Sequence, residues 1–351
     1  MTQRSTIPVI DLFAGPGGLG EGFSAFGNRD PKFRIGLSVE MEEKAHQTLE
    51  LRAFYRQFLK GKAPKEYYSH LRGEIDRQSL FDAYSEQAKN ARNEAMHAEL
   101  GETDPDVIDA RISTALDGVS SWILIGGPPC QAYSLVGRSR NKGNDDYEAE
   151  KDHRHFLYRE YLRIIADHQP PVFVMENVKG ILSSKVNGEP IFNSIRKDLK
   201  APYKAIPQSD TNNCYNYNLY SFVKTGSEDL SEGSLLKAED YIIQCERFGV
   251  PQARHRVIIL GVREDFNDIS DHILTESDCE SVWNVIEDLP RVRSGLSKGD
   301  SSEAWKQVIE SALESSWLEE TDDGIRKCII TAIETIRLPH KKRGAEYIAH
   351  E

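Results

Sequence analysis

Short apolar runs alternate with amphipathic stretches over the first three quarters of the chain. Residues 7 to 12 (IPVIDL) are apolar apart from one acid and read as a buried strand. Gly15 to Gly18 break that run, and Leu19, Phe23 and Phe26 then recur at helical spacing before Gly27 stops the pattern. Residues 33 to 40 predict a second strand, ending in an acid. Met41 to about Lys60 follows as a helix, with Ala45, Leu49, Phe54 and Phe58 as candidate core positions. Trp122 to Ile125 is a third strand and Asp152 to His168 an amphipathic helix. Pro171 to Glu176 is a fourth strand, again ending in an acid. Residues 240 to 245 and 255 to 262 are two more strands, split by Phe248-Gly249-Val250-Pro251. Strands alternating with helices predict an α/β fold, a mainly parallel doubly wound (Rossmann-like) sheet with helices on both faces. Ligands of such sheets bind at the carboxyl ends of the strands.

Three stretches fall outside this alternation. Residues 76 to 117 are polar and mostly helical in pattern, long for a connection within one sheet, and read as an insertion. Residues 135 to 150 are polar and Gly-containing, a loop. Residues 266 to 351 are acidic and partly helical, with no motif that suggests chemistry. The expected division is a catalytic domain over 1–265 and an extension over 266–351.

Composition narrows the class. The chain has 351 residues, 39% apolar and 28% charged, an ordinary globular balance. No run is long and apolar enough to span a bilayer and no signal segment stands at the N-terminus, so a cytoplasmic location is expected. Five scattered cysteines without a CxxC pair argue against a disulfide framework or a zinc site, and no metal is expected. The net charge of −12 weighs mildly against nucleic acid, although a positive cleft can sit on an acidic body.

Four clusters stand at predicted strand ends. DLFAGPGGLG, residues 11 to 20, is a glycine turn from strand to helix, which lets a ligand approach the backbone. No GK[ST] for a triphosphate is present. With Glu40 at the next strand end to take ribose hydroxyls, the turn suits an adenosine-bearing cofactor; the plain alternative is a tight turn beside an exposed acid. GGPPCQAYS, residues 126 to 134, presents Cys130 on a stiff turn. A thiol is a nucleophile only as thiolate, and a lone cysteine is more often inert. Glu176-Asn177-Val178 places a carboxyl at a strand end, where it could hydrogen-bond a ring nitrogen. QARHR, residues 252 to 256, puts Arg254 and Arg256 on one side of an extended chain, suited to an anion or to a surface ion pair.

Taken together and in this order, DLFAGPGGLGEGF, GGPPCQAYS, ENV and QARHR resemble the cytosine-5 DNA methyltransferase family. The resemblance covers residues 9 to 262 and implies a methyltransferase fold using S-adenosyl-L-methionine. It implies that Asp11, Phe13, Gly15, Gly17, Gly18 and Leu19 form the turn holding the methionine part. Glu40 would take the ribose, Met41 would lie beside the adenine and Pro129 would line the site. Cys130 would be the nucleophile, Glu176 would contact the cytosine ring, and Asn177 would brace the cysteine loop. Arg254 and Arg256 would position the activated base. Gln131 and Ser134 would lie on a loop closing over double-stranded DNA, where Arg138 and Arg140 meet phosphates. The implied chemistry is covalent addition of Cys130 to carbon 6 of a flipped-out cytosine, then methylation at carbon 5, as in a restriction-modification methylase.

The chain departs from the family pattern in two respects that matter here. The acid that reads the adenine amino group has its nearest match at Gly73-Glu74-Ile75, with Asp109 as the alternative. A target-recognition region and the final family segment have no recognisable counterpart, so the expectation is an N-terminal catalytic part of a longer protein or one chain of a split enzyme. An RNA (tRNA) cytosine methyltransferase and a non-catalytic regulatory paralogue are the competing readings.

Overall fold

The computed structural model describes residues 6–27, 30–59, 61–129, 154–186, 189–206, 214–229, 236–266, 273–289 and 292–336. They divide into two compact units, one of residues 1–60 and 85–284, the other of residues 61–84 and 285–351.

The first unit begins β1 (Ile7–Leu12), α1 (Gly18–Ala25), β2 (Phe33–Glu40), α2 (Glu43–Tyr55). The helices α3 (Lys65–Leu71) and α4 (Arg77–Ala83) belong to the second unit. The first then resumes with α5 (Ser85–Glu94), β3 (Ala95–His97), α6 (Pro105–Leu116), β4 (Ile123–Gly126), α7 (Arg154–His168) and β5 (Val172–Val178). A two-stranded ribbon, β6 (Lys185–Val186) with β7 (Glu189–Pro190), leads to α8 (Ile191–Lys200), α9 (Pro202–Ala205), β8 (Tyr217–Tyr220), β9 (Ser227–Glu228), β10 (Ile242–Gln244) and β11 (His255–Arg263). After α10 (Val282–Ile286), at the division between the units, the second unit continues with α11 (Ser302–Glu310) and α12 (Asp323–Glu334).

Nine strands form one sheet in the order β3-β2-β1-β4-β5-β11-β8-β9, with β10 also paired to β11. The first five run parallel. β11 runs antiparallel to β5, β8 and β10, and β9 antiparallel to β8. The parallel half is the doubly wound part. Val9, Ile10, Leu12, Leu124 and Ile125 are wholly buried, as strands covered on both faces must be. On one face Ile10, Leu12, Leu124, Phe173 and Ile259 share a core with Ile108 and Ile112 of α6, Tyr161 and Ile165 of α7, and Phe192 and Ile195 of α8. On the other, Val9, Ile35, Ile125 and Val174 pack against Leu19 and Phe23 at α1. Among the described residues no helix is long and apolar enough to cross a membrane.

The stretch 76–117 holds more than helices. Within it β3 pairs in parallel with β2, Ser38 opposite Ala95 and Glu40 opposite His97. Ile108, Ile112 and Leu116 of α6 are buried, so β3 and α6 form one more strand–helix step of the parallel sheet. A three-residue strand shows no period-two pattern, and the sequence therefore reads as helix throughout. β8 and β9 were likewise invisible to the apolar-run criterion.

Phe173 lies at the centre of the sheet, wholly buried, with its ring 5.2 Å from Tyr217 and edge-on to Tyr161 at 6.4 Å. Phe173→Ala is expected to lower unfolding free energy by about 3–5 kcal/mol. Urea denaturation checks this, and an unchanged midpoint would contradict the packing.

Candidate active site

Between β1 and α1 the backbone turns through three left-handed residues, Phe13 (φ 56°), Gly15 (φ 57°) and Gly17 (φ 89°). A phenylalanine in this region is strained and persists only where its surroundings hold it. At Gly17 a methyl group would lie 2.9 Å from Leu49 Cδ1, and the left-handed φ of 89° would strain any other residue there. The turn is tied to the neighbouring strand. Ala14 N–H donates to the Val39 carbonyl (3.0 Å) and Gly15 N–H to Glu40 Oε2 (2.7 Å). The other Glu40 oxygen, Oε1, accepts the Glu42 N–H at 2.7 Å. Glu40 is 9% exposed. Both oxygens of its carboxylate retain lone pairs for further donors. Space is open at Gly15 and Gly18, where an added Cβ would meet nothing within 4 Å. Met41, next along, is 50% exposed, while Leu19 packs into the α1 side of the core.

Asp11, at the end of β1, has no exposure, and its carboxyl faces the Gly20 backbone. Burial pushes its pKa from 3.8 up to about 7, against weaker opposition from the Gly20 backbone and the Arg56 charge, with Glu40 adding to the rise. Arg56 itself bridges Glu21 of α1 and Glu94 of α5.

The second part of the site is assembled where β4, β5 and β11 meet. Asn177 Nδ2 donates to the Pro128 carbonyl (3.1 Å), while its Oδ1 accepts the Val178 N–H (2.9 Å). One side chain so joins the end of β5 to the GGPP turn. Glu176 Oε1 forms an ion pair with Arg256 Nε at 2.8 Å, both side chains about three-quarters buried. The antiparallel register sets Arg256 opposite Val178 and Ile258 opposite Glu176, which puts Arg256 diagonally across from Glu176 on one face of the sheet. At Gly127 an added Cβ would lie 3.1 Å from Glu176 Oε2, so a bulkier residue would push against this carboxyl.

Arg254 precedes β11, is exposed, and contributes its carbonyl to the Cys245 N–H (3.1 Å); Arg256 is the arginine that reaches Glu176. Pro129 is half-buried. Cys130, Gln131, Ser134, Arg138 and Arg140 lie outside the described residues.

The two acids considered for the adenine are engaged elsewhere. Glu74 belongs to the second unit and is exposed. It pairs with Arg72 at 2.7 Å, which holds its carboxyl below the usual range. Asp109, on α6, pairs with Arg163 and His168 of α7, each at 2.9 Å. Residue 168 ends α7 just before β5 begins, so Asp109 stands at the amino edge of the sheet, away from the glycine turn, and does not fit the role. For Asp109 the ion-pair partner, Arg163, is far away in sequence and so gives no local trace. The residue that does stand beside Glu40 at the carboxyl edge is His97, which carries no motif and was missed.

A parallel sheet with a strained glycine turn after β1, an acid closing β2 and a braced turn after β4 defines an α/β methyltransferase fold. The chain belongs to the C-5 cytosine-specific DNA methylase family, whose model matches residues 71–203 and 236–347. It is 34% identical over 304 residues to the type II methyltransferase M.Bpa9945I of Bacillus paralicheniformis, covering 80% of this chain and 60% of that protein. It is 28% identical to the type II methyltransferase M.DdeI of Desulfomicrobium norvegicum, over 82% of this chain and 49% of that one. It is 34% identical to the DNA (cytosine-5-)-methyltransferase M.ApeKI of Aeropyrum pernix, over 43% of this chain and 29% of that one. The chain therefore spans well under two thirds of the length of these curated relatives.

Asp11 gives the site a pH signature. Its folded-state pKa lies above its ordinary value, so the native state binds the proton more tightly than the unfolded chain. Stability is retained below pH 3.8 and falls as pH rises from there through about 7, by on the order of a few kcal/mol in total. Urea midpoints from pH 5 to 8 should fall for the wild type more steeply than for Asp11→Asn. Equal slopes would show that the buried acid does not titrate.

Proposed function

We propose that this chain carries the catalytic machinery of a DNA cytosine methylase of the restriction-modification kind, acting at carbon 5 of cytosine in double-stranded DNA with S-adenosyl-L-methionine as methyl donor. The observation that carries this reading is the junction of β4, β5 and β11. Through Asn177–Pro128 and Glu176–Arg256, it gathers ENV, GGPP and QARHR, which are far apart in sequence, at one edge of the sheet.

The residues fit the donor. The turn from Phe13 to Gly18 leaves open backbone, and the Glu40 carboxylate, already fixed by two amides, has lone pairs left for ribose hydroxyls. Met41 lies at the rim beside it. When bound, the donor supplies an electrophilic methyl group.

The chain's own residues prepare the base. The Cys130 thiolate adds to carbon 6 of an extruded cytosine; the ring electrons move toward the ring nitrogen, which takes a proton from the Glu176 carboxylic acid. Carbon 5 becomes nucleophilic as a result. After it is methylated, water takes the carbon-5 proton, the thiolate departs, and the ring-nitrogen proton returns to the Glu176 carboxylate, restoring the ring. Arg256 orients the Glu176 carboxyl. Asn177 holds the Pro128 carbonyl and so aims the turn that leads to Cys130, which is the positional control such a step requires. Arg254 and the arginines at 138 and 140 are placed by this reading on the DNA side, with Gln131 and Ser134.

Transfer of a labelled methyl group to duplex DNA, with tRNA as the competing acceptor, tests the reading. Label is expected in DNA cytosine with the wild type and none with Cys130→Ser, while calorimetry shows donor binding unchanged in that variant. Undiminished transfer by Cys130→Ser would refute the mechanism, and label in tRNA alone would refute the substrate.

A further inference from the structure

We propose that Glu246 is a positioning residue for the reaction: through His255 it clasps the start of β11, and the clasp keeps Arg256, and so Glu176, in place against the base. The inference rests on the functional reading above and extends the site to a pair that this reading does not use.

His255 stands between the two arginines of QARHR. Alternation along the strand turns its side chain to the face opposite that of Arg256. There it meets the short turn that leaves β10. His255 Nε2 lies 2.6 Å from Glu246 Oε1, and both side chains are about two-thirds buried. A carboxylate only accepts, so Nε2 of His255 carries the proton and donates, whatever the charge on the ring. This bond first, and then the backbone amides at Glu246 and Arg254, hold the Glu246 carboxyl below its usual range. It therefore stays an acceptor at neutral pH. The backbone repeats the tie, since Cys245 N–H donates to the Arg254 carbonyl at 3.1 Å.

The link from this clasp to the chemistry is one residue long. The His255 carbonyl accepts Arg256 Nη1 at 2.8 Å, while Arg256 Nε faces Glu176 Oε1 at 2.8 Å. The guanidinium is thus held between its own backbone and the carboxyl it orients. Any shift of the His255 peptide moves one of those two holds. In the sheet, β10 pairs with His255 through Gln244, whereas the pairing with β5 begins only at Arg256, opposite Val178. Strand ends held on one side open most readily, and the Glu246 side chain supplies the missing restraint. Catalytic geometry of this kind depends on groups whose own supports are fixed. Arg247, next along the same turn, pairs instead with Glu276 and serves as the control.

The test is exchange of the Arg256 Nε–H with water, read by nitrogen-15 NMR on the full chain and assigned by its loss in Arg256→Lys. Glu246→Ala and His255→Ala are each expected to speed this exchange about three- to tenfold. The double variant should be no faster than either alone, because both remove the same contact. His255→Gln, whose side-chain amide donates to Glu246, should restore most of the protection, and Arg247→Ala should leave it unchanged. The same order is expected in kcat for methyl transfer to duplex DNA, with the Kd for S-adenosylhomocysteine unchanged, since the donor turn is carried by β1 and β2. Unchanged exchange in Glu246→Ala, effects that multiply in the double variant, no rescue by His255→Gln, or equal loss in Arg247→Ala would overturn the clasp. Exchange that follows this order while kcat does not would overturn the positioning role. A wild type that transfers no methyl group to DNA would overturn the functional reading itself.

Discussion

The glycine turn depends on one carboxylate. Glu40 ends β2 and accepts two backbone amides at 2.7 Å, one from Gly15 on the turn after β1 and one from Glu42 at the entry to α2. Charge-assisted bonds of this kind contribute roughly 1.5–3 kcal/mol each. Without them two backbone amides lose their carboxylate partner. The strained Phe13 and the left-handed Gly15 and Gly17 are tolerable because this clamp, with the Ala14–Val39 bond, fixes the turn to a neighbouring strand. Near the start of α1, Arg56 bridges Glu21 and Glu94. The cleft edge is therefore built before any ligand arrives.

The second half of the site follows from a change of strand direction. With β4 and β5 parallel, both carboxyl ends reach the same edge. β11 then runs antiparallel to β5, so the start of β11 meets the end of β5. Arg256 is near the start of its strand for that reason, and it meets Glu176 across the sheet. A parallel β11 would have carried the arginine to the opposite edge. Mixed direction in this sheet is thus a requirement of the site.

Much of this was legible in the sequence, because strands of four or more apolar residues ending in Gly or an acid leave a clear trace. β1, β2, β4, β5 and β11 did so, as did the turns they carry. β3 left none. Three residues cannot show a period, and it lies between helices with their own pattern. Glu74 and Asp109 were suggested by the family resemblance; that Asp109 pairs with Arg163, far along the chain, only the fold reveals. Arg254 and Arg256 were equivalent by alternation; the register with β5 separates them. The family's match also runs to residue 347, through a stretch that carries no chemical motif in the sequence.

The central claim is covalent catalysis by Cys130 on cytosine. Its most direct test is intact mass after incubation with S-adenosyl-L-methionine and duplex DNA containing 5-fluorocytosine, whose carbon-5 substituent cannot leave as a proton does. A stable protein–DNA adduct on the wild type and none on Cys130→Ser is the expected result. An adduct that persists in Cys130→Ser, or turnover of ordinary duplex with no adduct on the fluorinated one, would contradict it.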